Sequence, residues 1–187
     1  MRMVLMGPPG AGKGTQAALV AERLGVPHIS TGEIFRANVS DRTPLGIEAQ
    51  QFMDAGEFVP DSVTNAMVRD RLESDDASGG FLLDGYPRTV DQVSELNSML
   101  AERGVGLDQA VEIVVDIDEV VGRLIERSRL QGRTDDTEDV VRRRLEVYTE
   151  QTAPLTALYA QQGILVAIDG MGSINDVTQR FLDAISV

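Results

Sequence analysis

The residues best equipped for chemistry stand near the start of the chain, in Gly7-Pro8-Pro9-Gly10-Ala11-Gly12-Lys13-Gly14-Thr15. A short apolar run precedes them and an amphipathic stretch follows, the context in which a glycine-rich loop cradles phosphate. Glycines let backbone N–H groups turn inward and approach phosphate oxygens closely. The N-terminus of the following helix adds partial positive charge, and Lys13 brings a mobile full charge for β- and γ-phosphates. In such loops Ser or Thr ordinarily follows the lysine, and its hydroxyl holds Mg²⁺. Here Gly14 follows, with Thr15 one place later. Another group must therefore help to hold the metal's waters.

The other cations are arginines: the chain has sixteen, and Lys13 is its single lysine. They stand out against a formal net charge of −13. An acidic surface repels nucleic-acid phosphates and anionic membranes, so neither is expected as a partner. Arginine's planar fork donates several hydrogen bonds to phosphate oxygens and keeps its charge, which suits phosphate chemistry. Asp84 ends an apolar run, where an open α/β sheet places its ligands. A carboxylate there is placed to order waters around Mg²⁺, the alternative being a cap at the turn into Gly85. The absence of cysteine excludes disulfides and thiolate zinc sites. His28 reads as a half-buried structural histidine, and Met3, Met6, Met53, Met67 and Met99 read as core.

The 187 residues suffice for one domain with its own core, and 42% apolar with 25% charged residues is an ordinary globular balance. No stretch approaches the roughly 18 apolar residues of a membrane span, and the N-terminal apolar run is too short for a secretory signal. A cytoplasmic protein is expected. Short apolar runs at Met3–Met6, Pro27–Ile29, Gly80–Leu83, Val111–Asp116 and Ile164–Ile168 read as strands of a buried parallel sheet. Helical periodicity covers Gly12–Leu24, Leu45–Ala55, Ser62–Leu72, Val90–Glu102, Glu119–Arg129, Glu138–Tyr159 and Ile174–Ile185. This alternation predicts an α/β doubly wound fold with right-handed crossovers. Gly25 stops the first helix, Asp61 stands in an N-cap context, and Thr89 can cap the helix after Pro87-Arg88. Gly170-Met171-Gly172 breaks the chain before the last helix. Ser30–Val59 and Ser128–Asp136 fit the alternation poorly and read as excursions from the core.

The Gly12-Lys13-Gly14-Thr15 ending resembles the nucleoside monophosphate kinases, and especially the adenylate kinases with a short lid. Ser30-Thr31-Gly32-Glu33 with Arg36 is similar to the family's monophosphate-binding segment, and Gly56-Glu57-Phe58-Val59-Pro60-Asp61 to its far edge. Phe81-Leu82-Leu83-Asp84-Gly85-Tyr86-Pro87-Arg88, with Gln92 one turn on, resembles its most specific signature. Arg123 and Arg127, then Gly132-Arg133-Thr134-Asp135-Asp136, then Arg144, are similar to its lid and post-lid arginines.

The resemblance implies a P-loop three-layer sandwich around a roughly five-stranded parallel sheet, a single domain over 1–187. It carries a small helical monophosphate-binding insertion over 30–59 and a short lid over 126–136. It implies reversible, Mg²⁺-dependent transfer of the terminal phosphoryl group of ATP to AMP, by a monomer whose partners are small nucleotides. Lys13, Asp84, Arg88, Arg123, Arg133 and Arg144 would be catalytic, with Asp84 touching Mg²⁺ through water. Gly10, Ala11, Gly12, Lys13, Gly14, Thr15, Arg127 and Gly172 would hold ATP. Thr31, Arg36, Glu57, Phe58, Val59, Gly85, Tyr86, Pro87, Arg88, Gln92, Arg133 and Arg144 would hold AMP. Gln92 and Thr31 match adenine, whose N6–H₂ donates and whose N1 accepts. Arg129, Arg142 and Arg143 read as surface, and Asp135-Asp136 as a cap that can also tie lid arginines. The lid is too short for the zinc-binding insertion some relatives carry. Two other readings stay open: a kinase for UMP or CMP, and an ATP-binding module without phosphotransfer.

Overall fold

The computed structural model describes residues 1–116, 120–124 and 137–185. Five strands form one parallel sheet: β1 (Arg2–Met6), β2 (His28–Ser30), β3 (Phe81–Asp84), β4 (Gln109–Val114) and β5 (Leu165–Asp169), in the order β2-β3-β1-β4-β5. Each falls within a residue or two of an apolar run, because strands covered on both faces are apolar almost throughout. The register pairs Leu5 and Ser30 with Asp84, and Leu5 with Val111. The carboxyl ends of β1, β2 and β3 thus finish side by side.

Helices cover both faces. Met3 and Leu5 of β1, Leu82 of β3, and Val111 and Ile113 of β4 face α1 (Lys13–Leu24) and the C-terminal helix Ile174–Ile185, through Ala17, Val20, Val177 and Phe181. The alternate residues Val4, Met6, Phe81, Leu83 and Ala110 face α4 (Asp61–Leu72) and α5 (Val90–Ala101), through Val68, Leu72, Leu96 and Met99. Leu155 and Tyr159 complete this second layer. Burying each large apolar side chain contributes about 1.5–3 kcal/mol, and the period of two divides that burial between the two faces.

Residues 30–59 hold two helices, α2 (Thr31–Ser40) and α3 (Pro44–Ala55). Each has a local start signal: Ser30 Oγ accepts from Glu33 N, and Thr43 Oγ1 accepts from Gly46 N just before Pro44. They pack closely at Gly46, where a Cβ would collide with the Asn38 backbone. Phe35, Ala49 and Val59 form a small core here, with Phe52 and Met53 packed against it.

The structure corrects three expectations. The helix expected over Glu138–Tyr159 is α6 (Glu138–Val147), a π turn (Tyr148–Thr152) and α7 (Leu155–Gln161). Pro154 lacks the N–H that an unbroken α ladder needs, and Ala153 N donates to Tyr148 O five residues back. Asp61 does not cap α4 with its side chain, which turns toward Thr89 and Gln92. Met53 and Met67 are only half-buried, packed at the edge of the small core rather than within it, and Met53 also lines a cavity. Residues 120–124 are helical, as expected, and the rest of Glu119–Arg129 and the whole of Ser128–Asp136 lie outside the described residues. The helix Ile174–Ile185, α8, keeps its expected bounds.

Candidate active site

The loop after β1 takes its shape from two glycines that no other residue replaces without strain. Gly7 (φ 140°) lies where a Cβ would be 2.8 Å from Ile113 O, and Gly10 (φ 85°) where a Cβ would be 2.8 Å from Val120 Cγ1. Lys13 folds back across the loop, donating to Gly7 O at 2.8 Å and Pro8 O at 2.9 Å. Its ammonium is thereby held over the mouth of the loop rather than in solvent.

Asp84, at the end of β3, is 8% exposed. Burial works to raise its pKa, yet His28, Lys13 and Arg88 outweigh it and hold the carboxyl below the usual range. His28 Nε2 lies 3.8 Å from Asp84 Oδ2, too far for a hydrogen bond but close enough to support the charge. A Cβ at Gly14 would come 3.7 Å from the same oxygen, so the residue after Lys13 leaves the approach to this carboxylate open. Asp84 is therefore an ionised group facing a phosphate loop, and it does not cap the turn at Gly85.

Arg88 is fixed from several sides. Its Nε donates to Gly85 O at 2.7 Å, its guanidinium lies 4.9 Å from the centroid of the Phe58 ring, and its carbonyl accepts from Thr152 Oγ1 at 2.9 Å. Burial pulls its pKa down to about 10; Arg144 and Arg36 add to the fall, and Asp84 opposes it. Cations that repel one another around a cleft mark a place prepared for a polyanion. The guanidinium of Arg36 lies against Gly32, at the start of α2.

Two cavities meet here. The first is lined by Thr31, Phe35, Met53, Glu57, Phe58, Val59, Thr64, Gly85, Pro87, Gln92, Tyr148 and Thr152. The second is lined by Gly10, Ala11, Gly12, Gly14, Thr15, Asp84, Arg123, Gly170, Gly172 and Ile174. Lys13, Arg36, Arg88 and Arg144 line both. One cavity thus opens on the phosphate loop and the other on the α2–α3 segment, with four cations at their junction.

Most of the residues expected at the site are here. Tyr86 is not: it is 1% exposed, and its hydroxyl donates to Asn65 Oδ1 and Gln92 O beneath the cavity. It supports the wall and does not line it. Arg127 and Arg133 lie outside the described residues. Arg143 and Arg142 line neither cavity, in keeping with surface positions: Arg143, 40% exposed, is ion-paired to Glu57 at 2.7 Å, and Arg142 pairs with Glu138. Phe35, Thr64, Tyr148 and Thr152 were missed. Pro154, two residues after Thr152, was the available signal, since proline within a helical pattern forces a departure that can aim side chains inward.

A family model described as "Adenylate kinase" matches residues 5–164. The chain belongs to the adenylate kinase family. A protein named adenylate kinase from Kocuria rhizophila is 63% identical over 184 residues, 98% of each chain. One of the same name from a Nocardioides species is 58% identical over 187 residues, covering 100% of this chain and 98% of its own. Another from Thermobifida fusca is 57% identical over 185 residues, 99% of this chain and 98% of its own. The five-stranded parallel sheet with its phosphate loop is consistent with the fold of that family. As an adenylate kinase family member the chain is a phosphotransferase acting on small-molecule nucleotides.

Proposed function

We propose that the family's reaction, reversible transfer of the terminal phosphoryl group of ATP to AMP giving two ADP, proceeds at the junction where Lys13, Arg36, Arg88 and Arg144 line both cavities. That junction carries the reading: it joins two recesses at one shared cationic centre. ATP occupies the recess on the phosphate loop, its phosphates against the loop N–H groups and Lys13. AMP occupies the recess under α2 and α3, its phosphate against Arg36 and Arg88 and its base near Thr31 and Gln92.

The chemistry asks little covalent help from the protein. The AMP phosphate is an anion at neutral pH, so no general base has to remove a proton. The obstacle is the approach of two polyanions in line, and fixed guanidinium groups lower it as charge spreads over the transferring phosphoryl. The hydrogen bond to Gly85 and the stacking on Phe58 position Arg88 before substrate arrives, so little is lost in ordering it. Mg²⁺ would supply charge neutralisation on the ATP phosphates. Asp84 suits it through waters, because Mg²⁺ keeps much of its hydration and takes one or two carboxylates together with substrate phosphates. Arg123, half-buried beside Met171, lines the ATP recess. Arg127 and Arg133 are proposed to complete the cover over it from the short lid, 126–136, with the 30–59 segment closing over AMP. Excluding water keeps it from taking the phosphoryl group.

The chain is further proposed to act as a monomer in the cytoplasm; among the described residues no helix is long and apolar enough to cross a membrane. The reading is tested by measuring ADP formed from ATP, AMP and Mg²⁺, with inhibition by a bisubstrate analogue spanning both recesses. A preference for UMP or CMP over AMP in a panel of acceptors would overturn it, as would ATP hydrolysis without ADP formation from AMP.

A further inference from the structure

Asp61 is the first residue of α4, yet its carboxylate leaves that helix and binds the start of α5. Oδ2 accepts from Thr89 Oγ1 at 2.8 Å, and Oδ1 accepts from Gln92 Nε2 at 2.6 Å. Gln92 in turn accepts, through Oε1, the backbone N–H of Arg88 at 2.7 Å. Gln92 is 2% exposed and lines the monophosphate recess, whereas Asp61 stands behind it.

A carboxamide has ends of opposite polarity and turns over easily where its neighbours tolerate both orientations. Here neither neighbour does. The carboxylate has no proton to give, and the Arg88 N–H has no lone pair. Turning Gln92 over would set its oxygen against Asp61 and its NH₂ against an N–H, leaving two repulsive contacts in a buried place. With one proton given to Asp61 and one lone pair engaged by Arg88, Gln92 keeps one N–H and one lone pair for a ligand.

That polarity decides which purine can be read. Adenine presents an acceptor at N1 and a donor at N6, whereas a 6-oxopurine presents a donor at N1 and an acceptor at O6. A glutamine free to turn over matches both edges; one that is locked matches only one. We propose that Asp61 is a specificity-positioning residue, fixing together with the Arg88 backbone N–H the polarity of the Gln92 amide so that the recess accepts a 6-aminopurine monophosphate and refuses a 6-oxopurine one. This rests on the reading of the recess as the AMP site with Gln92 at the base.

The test compares kcat/KM for AMP and for inosine monophosphate, with ATP as donor, in the unmodified enzyme, Asp61→Asn, Gln92→Ala and the double variant. The Asp61→Asn change keeps the shape of the side chain and removes one of the two contacts that forbid turning over: its new carboxamide can offer N–H to a turned-over Gln92, while the Arg88 N–H still opposes it. The AMP-to-IMP ratio falls about tenfold in Asp61→Asn, through the KM for the monophosphate and with the KM for ATP unchanged. In the Gln92→Ala background Asp61→Asn does not change the ratio further. If Gln92→Ala collapses the ratio but Asp61→Asn leaves it intact, or lowers both efficiencies equally, the lock is overturned and the base reading stands. If Gln92→Ala leaves the ratio untouched, the base reading is overturned and the lock with it. Should Asp61→Asn fail to fold, the unmodified protein decides by NMR. The Gln92 carboxamide is expected to give one downfield N–H proton protected from solvent exchange, and two N–H protons at ordinary shifts that both exchange fast with solvent overturn the proposal.

Discussion

Glu57 and Arg143 join the segment after α3 to helix α6 through an ion pair of 2.7 Å. The two elements touch closely here, since a Cβ at Gly56 would lie 3.0 Å from Val140 O and 3.3 Å from Arg144 Cγ. Arg143 also reaches Glu146 at 3.2 Å, so one guanidinium ties three positions together. Its neighbour Arg144 stands at the junction of the two recesses.

Arg143→Ala is therefore expected to act on AMP through geometry rather than through stability. Both partners are about 40% exposed, so the pair is screened and its loss leaves the melting temperature nearly unchanged. The KM for AMP rises about two- to fivefold as α6 loses its tie to Glu57, and the KM for ATP moves less. The effect in unmodified enzyme shrinks with added salt. Steady-state kinetics at two ionic strengths check this, and equal shifts in both KM values would count against it.

Lys13→Ala removes the ammonium that bridges Gly7 O and Pro8 O. The fold survives, because the loop keeps its glycine geometry and its bond from Ala11 N to Pro8 O. The kcat falls by about three orders of magnitude, since the lost charge serves the phosphates where charge develops. Circular dichroism alongside turnover checks both halves; near-native turnover would remove Lys13 from the catalytic set.

Gly85→Ala tests the signature turn. Gly85 has φ 83°, and a Cβ would stand 2.7 Å from Thr31 Oγ1 and 3.0 Å from an Arg88 Nη atom. The backbone strain alone costs about 1–3 kcal/mol. The collision also displaces Arg88 and Thr31, so the KM for AMP rises about tenfold while ATP binding changes little. Thermal melts and the two KM values check the expectation. A fully stable variant with native AMP kinetics would contradict it.

The sheet was legible because four of the five strands are short apolar runs bordered by glycine or proline; the fourth strand, read as Val111–Asp116, lacks that punctuation and begins two residues earlier, at Gln109. The phosphate loop and Asp84-Gly85-Tyr86-Pro87-Arg88 were legible because their chemistry is local. What escaped was contact between distant elements. Nothing in the pattern around Asp61 says that it reaches Gln92, thirty-one positions on, instead of capping its own helix. Tyr86 lies between two residues that line the recess proposed for AMP and still points into the core, because a hydroxyl with two acceptors nearby is satisfied there. Thr152 and Tyr148 enter the site only because a π turn rotates them relative to α6, and periodicity assumes 3.6 residues per turn.

Asp84→Asn separates the carboxylate's role toward metal from its role in the fold. If Asp84 orders waters around Mg²⁺, the Mg²⁺ concentration giving half-maximal rate rises about tenfold or more in the variant, while AMP binding in the absence of metal is nearly unchanged. Stability has its own sign. The folded-state pKa of Asp84 lies below its ordinary value, so the ionised carboxylate stabilises the native state fully above about pH 4. That contribution is lost as pH falls through the folded-state value. Unmodified protein should therefore melt higher than Asp84→Asn in metal-free buffer near neutrality, and the gap should close below about pH 4. A gap that stays constant across this range would mean that shape, and not charge, is what Asp84 contributes to the fold. A variant with an unaltered Mg²⁺ requirement would leave the waters of the metal to some other group, with the hydroxyl of Thr15 in the same recess the next to examine.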